Sequence, residues 1–319
     1  MLDVYQSRPM ETDMPHMTRR TALFSAAAAP AALAVPARAP AQEGGSAVPM
    51  PRARGFALGE FRVTTLLSGT FPREAPQSIF GMNVSEDEFA RVSEENFIGT
   101  EAAQFFFTPT LVDTGAERIL FDTGLNAASL AGPLAEAGYA PGDITHVVLT
   151  HMHGDHIGGM TTEAGDLTYP EAAYLTGQAE FDAWAAMDNE GFDTKVRPFA
   201  DRFAFLGDGD AVTSGVTAMA AFGHTPGHMV YMLESGGRQM ALVADLANHY
   251  VWSLGYPDWE VRFDMDKAAA AATRRRVLGM LAADRVPMIG YHMPFPAAGF
   301  VETRGEGFRY VPVSYQFMG

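Results

Sequence analysis

From Phe61 onward the chain is dominated by short apolar runs bounded by turn residues, a pattern that predicts strands more often than long helices. Phe61 to Leu67 alternates enough to be a first strand. Phe105 to Val112 and Arg118 to Phe121 read as a strand pair about the turn Asp113-Thr114-Gly115-Ala116. Ile144 to Leu149, rich in β-branched residues, reads as a buried central strand. Val216 to Phe222, Met229 to Glu234 and Gln239 to Ala244 add three more, the last two joined by Ser235-Gly236-Gly237-Arg238. Helical signals are fewer. Ser85, with Glu88 three residues on, is a capping box opening a helix towards Phe97. Ala127 to Ala137 is a helix interrupted by Pro133. Thr176 is expected to cap a helix carrying Phe181 and Trp184 on one face. Asp264 is expected to cap a long Ala-rich helix ending near Asp284, with Val277, Met280 and Leu281 as its apolar stripe and Arg274-Arg275-Arg276 as its solvated face. Strands, then helix, then strands, twice over, predict an α/β fold with two sheets packed face to face and helices outside.

Composition narrows the partners. At 319 residues and 47% hydrophobic the chain can bury a sizeable core, and a net charge of −16 argues against nucleic acid or an anionic membrane surface. With no cysteine, disulfides, iron–sulfur clusters and thiolate ligands are excluded. Thr18-Arg19-Arg20-Thr21-Ala22-Leu23-Phe24 resembles a twin-arginine export signal, followed by an apolar run from Ala22 to Val35 and an A-x-A cleavage site at Ala39-Pro40-Ala41. The run is too short, and too broken by Pro30 and Pro36, for a membrane anchor. The expected organisation is a signal peptide at 1–41, a flexible lead-in at 42–54, and a catalytic domain at 55–319, periplasmic after export. Removing 1–41 takes away four Arg and three acids, so −16 becomes −17. No membrane contact is expected after that removal.

The chemistry concentrates just beyond the central strand, in His151-Met152-His153-Gly154-Asp155-His156, before Gly158-Gly159 breaks the chain. Extended backbone lets His151 and His153 point the same way, while Asp155 and His156 can face the other side once the chain turns. A His-rich polar loop is the bland alternative, yet three of only nine histidines fall within six residues. Further donors follow at or beyond predicted strand ends: His224, then Asp245 after Ala241-Leu242-Val243-Ala244, then His292 after Val286 to Tyr291. His146 faces away along its strand and His16 lies in the leader.

In this HxHxDH…H…D…H series the chain resembles the metallo-β-lactamase-fold hydrolases, whose fold is an αββα sandwich. The resemblance implies that His151, His153 and His224 hold one metal, that Asp155, His156 and His292 hold a second, and that Asp245 bridges them. It makes Asp245 and Asp155 the expected catalytic carboxylates, and Asp122 of Asp122-Thr123-Gly124 a support behind the ligands. His228 is read as an orienting residue or as plain structure. Imidazoles and carboxylates suit two divalent ions such as Zn²⁺, and two dications lower a bound water's pKa to roughly 7, supplying a hydroxide nucleophile.

The tail, His292-Met293-Pro294-Phe295-Pro296-Ala297-Ala298-Gly299 and then Gly305 to Val313, resembles that of methyl parathion hydrolases and related lactonases. Ala297 stands where Gly is usual and Phe300 where the parathion enzyme has His. Asn248 stands three residues after the bridging Asp, where lactonases often place a Tyr. The expectation is a metal-dependent hydrolase of a small apolar ester: an aryl ester, a phosphotriester or a lactone. An acyl-homoserine-lactone lactonase, a β-lactamase-like amidase and a metal-binding module without turnover are the alternatives. A small-molecule substrate is the expected partner, and a homodimer is allowed. For the substrate pocket, Phe105 and Phe107 face one side of their strand and Phe106 the other, in either register. Trp184 resembles the tryptophan that walls the pocket in parathion-hydrolysing relatives, and Asn248 would lie nearby.

Overall fold

The computed structural model describes residues 50–317. The predicted signal peptide and most of the predicted lead-in lie outside that range. Strand β1 (Ala53–Leu58) begins two residues inside the predicted lead-in and pairs with β2 (Phe61–Leu66). Strand β3 (Gly69–Glu74), helix α1 (Glu86–Glu95) and β4 (Ala102–Phe107) follow, and β3 and β4 form a separate two-stranded arm. Ser85 caps α1 as expected, accepting from the Glu88 N–H. The predicted strand Phe105 to Val112 is therefore two elements. The chain leaves β4 at Thr108-Pro109, where proline has no N–H for a ladder, and re-enters another sheet as β5 (Thr110–Asp113).

Strands β6 (Arg118–Phe121) and β7 (His146–Leu149) run parallel, separated by α2 (Ala131–Ala137). Pro133 does not interrupt that helix, because α2 starts at Ala131 and the proline falls in its first turn, where its missing N–H costs nothing. The short helix α3 (Gly154–Ile157), β8 (Ala173–Gly177), α4 (Gln178–Ala185), α5 (Glu190–Lys195) and β9 (Phe203–Leu206) complete the first half. Thr176 does not cap α4. It lies within β8 and its hydroxyl donates to the Leu149 carbonyl, which leaves Gly177 at the cap.

All later strands belong to a second sheet: β10 (Ala211–Thr213), β11 (Val216–Ala220), β12 (Met229–Ser235), β13 (Arg238–Ala244), β14 (Met288–Gly290), β15 (Ala298–Arg304) and β16 (Gly307–Pro312). Helix α6 (Lys267–Asp284) crosses between the parallel strands β13 and β14. The two mixed seven-stranded sheets have orders β1-β2-β5-β6-β7-β8-β9 and β10 through β16 in sequence, so the chain passes between them once, at residues 207–210.

Alternation along the central strands builds both sides of the first sheet. Ile119, Phe121 and Val148 face a core shared with Val230, Tyr231 and Leu242 of the second sheet. Leu120, Val147 and Leu149 face the other way, onto Leu130, Leu134 and Phe192 of the outer layer. The result is the predicted pair of packed sheets with helices outside. Among the described residues no helix is long and apolar enough to cross a membrane.

Two helix readings need correction at α6. Its cap is Asp266, which accepts from the Ala269 N–H; Asp264 is turned inward. Arg274 is not solvated. It lies on the same buried stripe as Ala270, Val277, Leu278 and Leu281, whereas Arg275 and Arg276 face solvent.

Candidate metal centre

Parallel strands end together, and the parallel pairs β6/β7 and β13/β14 end at the same place between the sheets. His151 to His156 follow β7, Asp245 follows β13 and His292 follows β14, while His224 sits on the loop from β11 to β12. Backbone must come very close here. A side chain at Gly158 or Gly159 would strike the Leu125 or Thr123 carbonyl at 2.3 and 2.1 Å, so this pair is fixed by packing and does not serve as a chain break. On the His224 loop, a Cβ at Gly223 would meet the Ala270 backbone at 2.2 Å and one at Gly227 the Glu180 backbone at 2.0 Å.

The seven predicted ligands converge in two groups, His151, His153, His224 and Asp245 in one, Asp155, His156 and His292 in the other. His153 Nδ1 lies 3.1 Å from His151 Nε2 and 3.0 Å from His224 Nε2. Asp155 Oδ2 lies 3.5 Å from His156 Nε2 and 3.4 Å from His292 Nε2. Asp245 reaches both groups, at 3.3 Å from His224 Nε2 and 3.1 Å from His156 Nε2 and from His292 Nε2. Donors about 2.0–2.1 Å from a tetrahedral ion stand ~3.3 Å apart, so these spacings fit a divalent cation in each group.

The hydrogen bonds behind the rings set which nitrogen points inward. His156 Nδ1 donates to Asp122 at 2.8 Å, His224 Nδ1 to Asp264 at 2.9 Å and His292 Nδ1 to the Phe106 carbonyl at 2.8 Å. His151 Nδ1 donates to Thr150 Oγ1, which itself donates to Asp122. Each of these four rings therefore turns its Nε2 to the centre. Burial there is outweighed by Asp245 and the neighbouring carboxylates, which raise His156 and push His224 up to about 9 and His292 up to about 10, a positive charge that a divalent cation would replace. His156 Nε2 and Asp245 Oδ1 are left buried and without a hydrogen-bond partner, the condition that a cation relieves. Burial also pushes His153 down to about 3, which keeps its inward nitrogen free of a proton.

Asp122 sits behind the ligands as expected, with left-handed backbone (φ 62°) that aims both carboxylate oxygens at Thr150 and His156. His228 lies outside both groups. Its Nδ1 donates to the Ala221 carbonyl and its Nε2 accepts the Asp245 N–H, and burial pushes it down to about 3, so it holds the Asp245 backbone as a neutral ring.

Four contributors are not among the site residues that the sequence singles out. Asp264 is clamped between His224 and the buried Arg274, whose Nη1 lies 2.7 Å from it. Arg274 also donates to the Pro257 and Trp259 carbonyls. Fully buried Glu180 accepts from Met152 N–H, Thr225 Oγ1 and Gly227 N–H, tying the two histidine loops together. Tyr291 stacks near His156 at 3.9 Å and donates its hydroxyl to the Asp155 carbonyl.

A cavity of about 330 Å³ opens onto this centre, lined by Phe71, Arg73, Phe105, Phe107, Leu125 and Phe263 together with His153, Gly154, Asp155, Asp245 and His292. Of the two registers open for the phenylalanine run, the chain adopts the one with Phe105 and Phe107 inward, edge-on to His292 at 5.8 and 5.3 Å. Neither of the other two expected pocket residues lines this cavity. Trp184 is buried in the outer core with its ring edge-on to His153 at 5.7 Å, because α4 packs behind the histidine loop and not over the mouth. Asn248 is buried and donates from Nδ2 to Asp245 Oδ2 at 2.8 Å. A larger groove of about 940 Å³, along 50–62 and 313–317, includes none of the ligands.

The Metallo-beta-lactamase superfamily model matches residues 108–288, which contain six of the seven ligands; His292 lies just beyond. Among solved structures, AidC, a dizinc quorum-quenching lactonase in complex with an acyl-homoserine product, superposes with a TM-score of 0.75 at 27% identity, covering 83% of this chain and 98% of that one. The hydrolase AbOPH gives a TM-score of 0.77 at 22% identity, a likeness of fold alone. Among curated proteins, an N-acyl homoserine lactonase from Bacillus sp is 28% identical over 143 residues, 40% of this chain and 54% of that protein. The lactamase-like protein adaB of Aspergillus niger is 53% identical over 51 residues, and the chain spans only 16% of its length.

Proposed function

The chain belongs to the metallo-beta-lactamase superfamily, and from that premise we propose that it is a two-metal hydrolase of small esters bearing an apolar ring or acyl group. The observation that carries this reading is the convergence of seven oriented ligand atoms on one end of an aromatic cavity. When bound, two divalent ions, zinc in this reading, supply an acidified water and a Lewis acid for the ester oxygen. The chain's own residues do the rest. Asp122, Asp264 and the Phe106 carbonyl hold the imidazoles in the ligating tautomer. Asp245 joins the two groups while His228 and Asn248 fix its backbone and carboxylate. Phe105, Phe107, Phe71 and Phe263 receive the apolar part of the substrate, whose burial contributes roughly 25 cal/mol per Å².

Aryl esters, phosphotriesters and lactones all fit this reading. The lactone branch has specific support in the likeness to AidC, which extends over nearly all of that lactonase. Against it stands Asn248, which occupies the position of a carbonyl-holding Tyr and is spent on Asp245. A panel of chromogenic aryl esters, phosphotriesters and lactones, assayed on zinc-loaded protein, tests the proposal. The expected result is turnover of at least one aryl ester that stops on chelation and returns with zinc. Protein carrying two metals that leaves the whole panel at background would overturn it.

A further inference from the structure

The arm made by β3 and β4 carries one feature that ester hydrolysis alone does not require. Residues directly opposite in an antiparallel pair share a face, so the cavity side of the arm is a ladder of rows: Gly69 with Phe107, Phe71 with Phe105, and Arg73 with Ala103. Phe107 and Phe105 are the rows that touch His292, so Arg73 stands at the far end of the aromatic wall. Successive rows on one face are about 7 Å apart. Its neighbour across the ladder is an alanine, which leaves the space in front of the guanidinium open.

Arg73 is set apart by its place, being the arginine that lines this cavity. Arg52, Arg91, Arg197, Arg274, Arg275 and Arg309 each have a carboxylate partner, whereas Arg73 is among the described arginines that have none. The acids that line the same cavity, Asp155 and Asp245, are both engaged with histidines of the metal centre. A cation without a partner, placed at the end of an apolar wall, has a planar fork suited to a carboxylate.

We propose that Arg73 forms an anion subsite, and that the preferred substrates are esters carrying a carboxylate on the end of the apolar group remote from the scissile bond. This deepens the hydrolase reading and rests on it for the word substrate, while the subsite itself is a matter of binding. The ring or chain lies along Phe105 and Phe71, with the ester towards the metal ligands and the carboxylate against the guanidinium. A cavity of about 330 Å³ holds one ring with short arms at both ends.

Titration calorimetry on zinc-loaded protein compares 1,4-phenylenediacetate with phenylacetate. Wild type is expected to bind the diacid at least fivefold more tightly, beyond the twofold statistical advantage of two equivalent ends. Arg73→Gln is expected to bring that ratio within twofold, and Arg73→Lys to retain part of it. A wild-type ratio within twofold, or a ratio that Arg73→Gln leaves unchanged, would overturn the subsite. A parallel comparison of kcat/KM for the 4-nitrophenyl monoester of succinate and for 4-nitrophenyl butyrate should show the same loss of charge preference. If neither of these esters nor any member of the wider panel is hydrolysed while the diacid preference persists, the hydrolase reading fails and the subsite stands. If both are hydrolysed and no preference is seen, the reverse holds.

Discussion

The two halves of the metal centre are built from the same residue types but anchored differently. The group of His151, His153, His224 and Asp245 draws on both sheets and is held from behind by a buried ion pair: Asp264 orients His224, and Arg274 orients Asp264 from within α6. The group of Asp155, His156 and His292 is held by backbone and neutral groups on one side, the Phe106 carbonyl and the Tyr291 hydroxyl, and by Asp122 on the other. Each group lends two residues to the cavity wall, His153 and Asp245 from the first and Asp155 and His292 from the second. The difference is therefore in the bracing: a buried charge pair behind the first group, and one carboxylate with backbone and neutral groups behind the second. Bracing a ligand with a buried charge has a hazard of its own, since removing one partner strands the other in a low-dielectric interior.

The largest test of this contrast removes the residue common to both halves. Asp245→Ala should lose both metals together, with elemental analysis falling from about two metals per chain towards none and turnover falling to background. His292→Ala should leave the first site filled, with a value near one. Equal loss in both variants would mean that the halves are not separable. Next in size are the supporting carboxylates, for which a 10–100-fold loss of metal affinity is typical. Asp264→Asn should weaken the first site alone. Asp122→Asn should weaken both, because Asp122 bonds His156 directly and reaches His151 through Thr150. Competition with a metal chelator, read as two separate affinities, distinguishes these outcomes. The smallest effect is expected at Trp184. Its ring packs against His153 and not along the cavity, so Trp184→Ala should cost about 3 kcal/mol of stability and loosen the first metal while changing KM for aromatic esters less than twofold. A rise in KM at unaltered metal affinity would restore it to the pocket wall.

How far this was legible in the chain depends on whether a signal was local. All seven predicted ligands could be read because they follow strands in an ordered series, HxHxDH after β7, then His224 after β11, Asp245 after β13 and His292 after β14, and strand ends are visible in short apolar runs. Asp264 and Asp266 are two residues apart and equally good caps by type; only the packing of α6 decides that one accepts from Ala269 and the other from His224 and Arg274. Arg274 did carry a usable signal, since Ala270, Arg274, Val277, Leu278 and Leu281 fall on one helical face. The run of three arginines masked it. Pro109 likewise marked the break between β4 and β5. Glu180 left no local trace, because its three partners lie 28 to 47 residues away.

The single passage of the chain between the sheets, at residues 207–210, divides the ligands as well as the strands. His151, His153, Asp155 and His156 precede it; His224, Asp245 and His292 follow it. Neither half holds a complete group of candidate ligands, so cations bound there would act as rivets across the seam, their binding energy contributing to cohesion as well as to chemistry. A protease cut in that exposed turn would then leave two fragments whose reunion reports metal occupancy, making the protein's own architecture a sensor of the ions its ligands are arranged to hold.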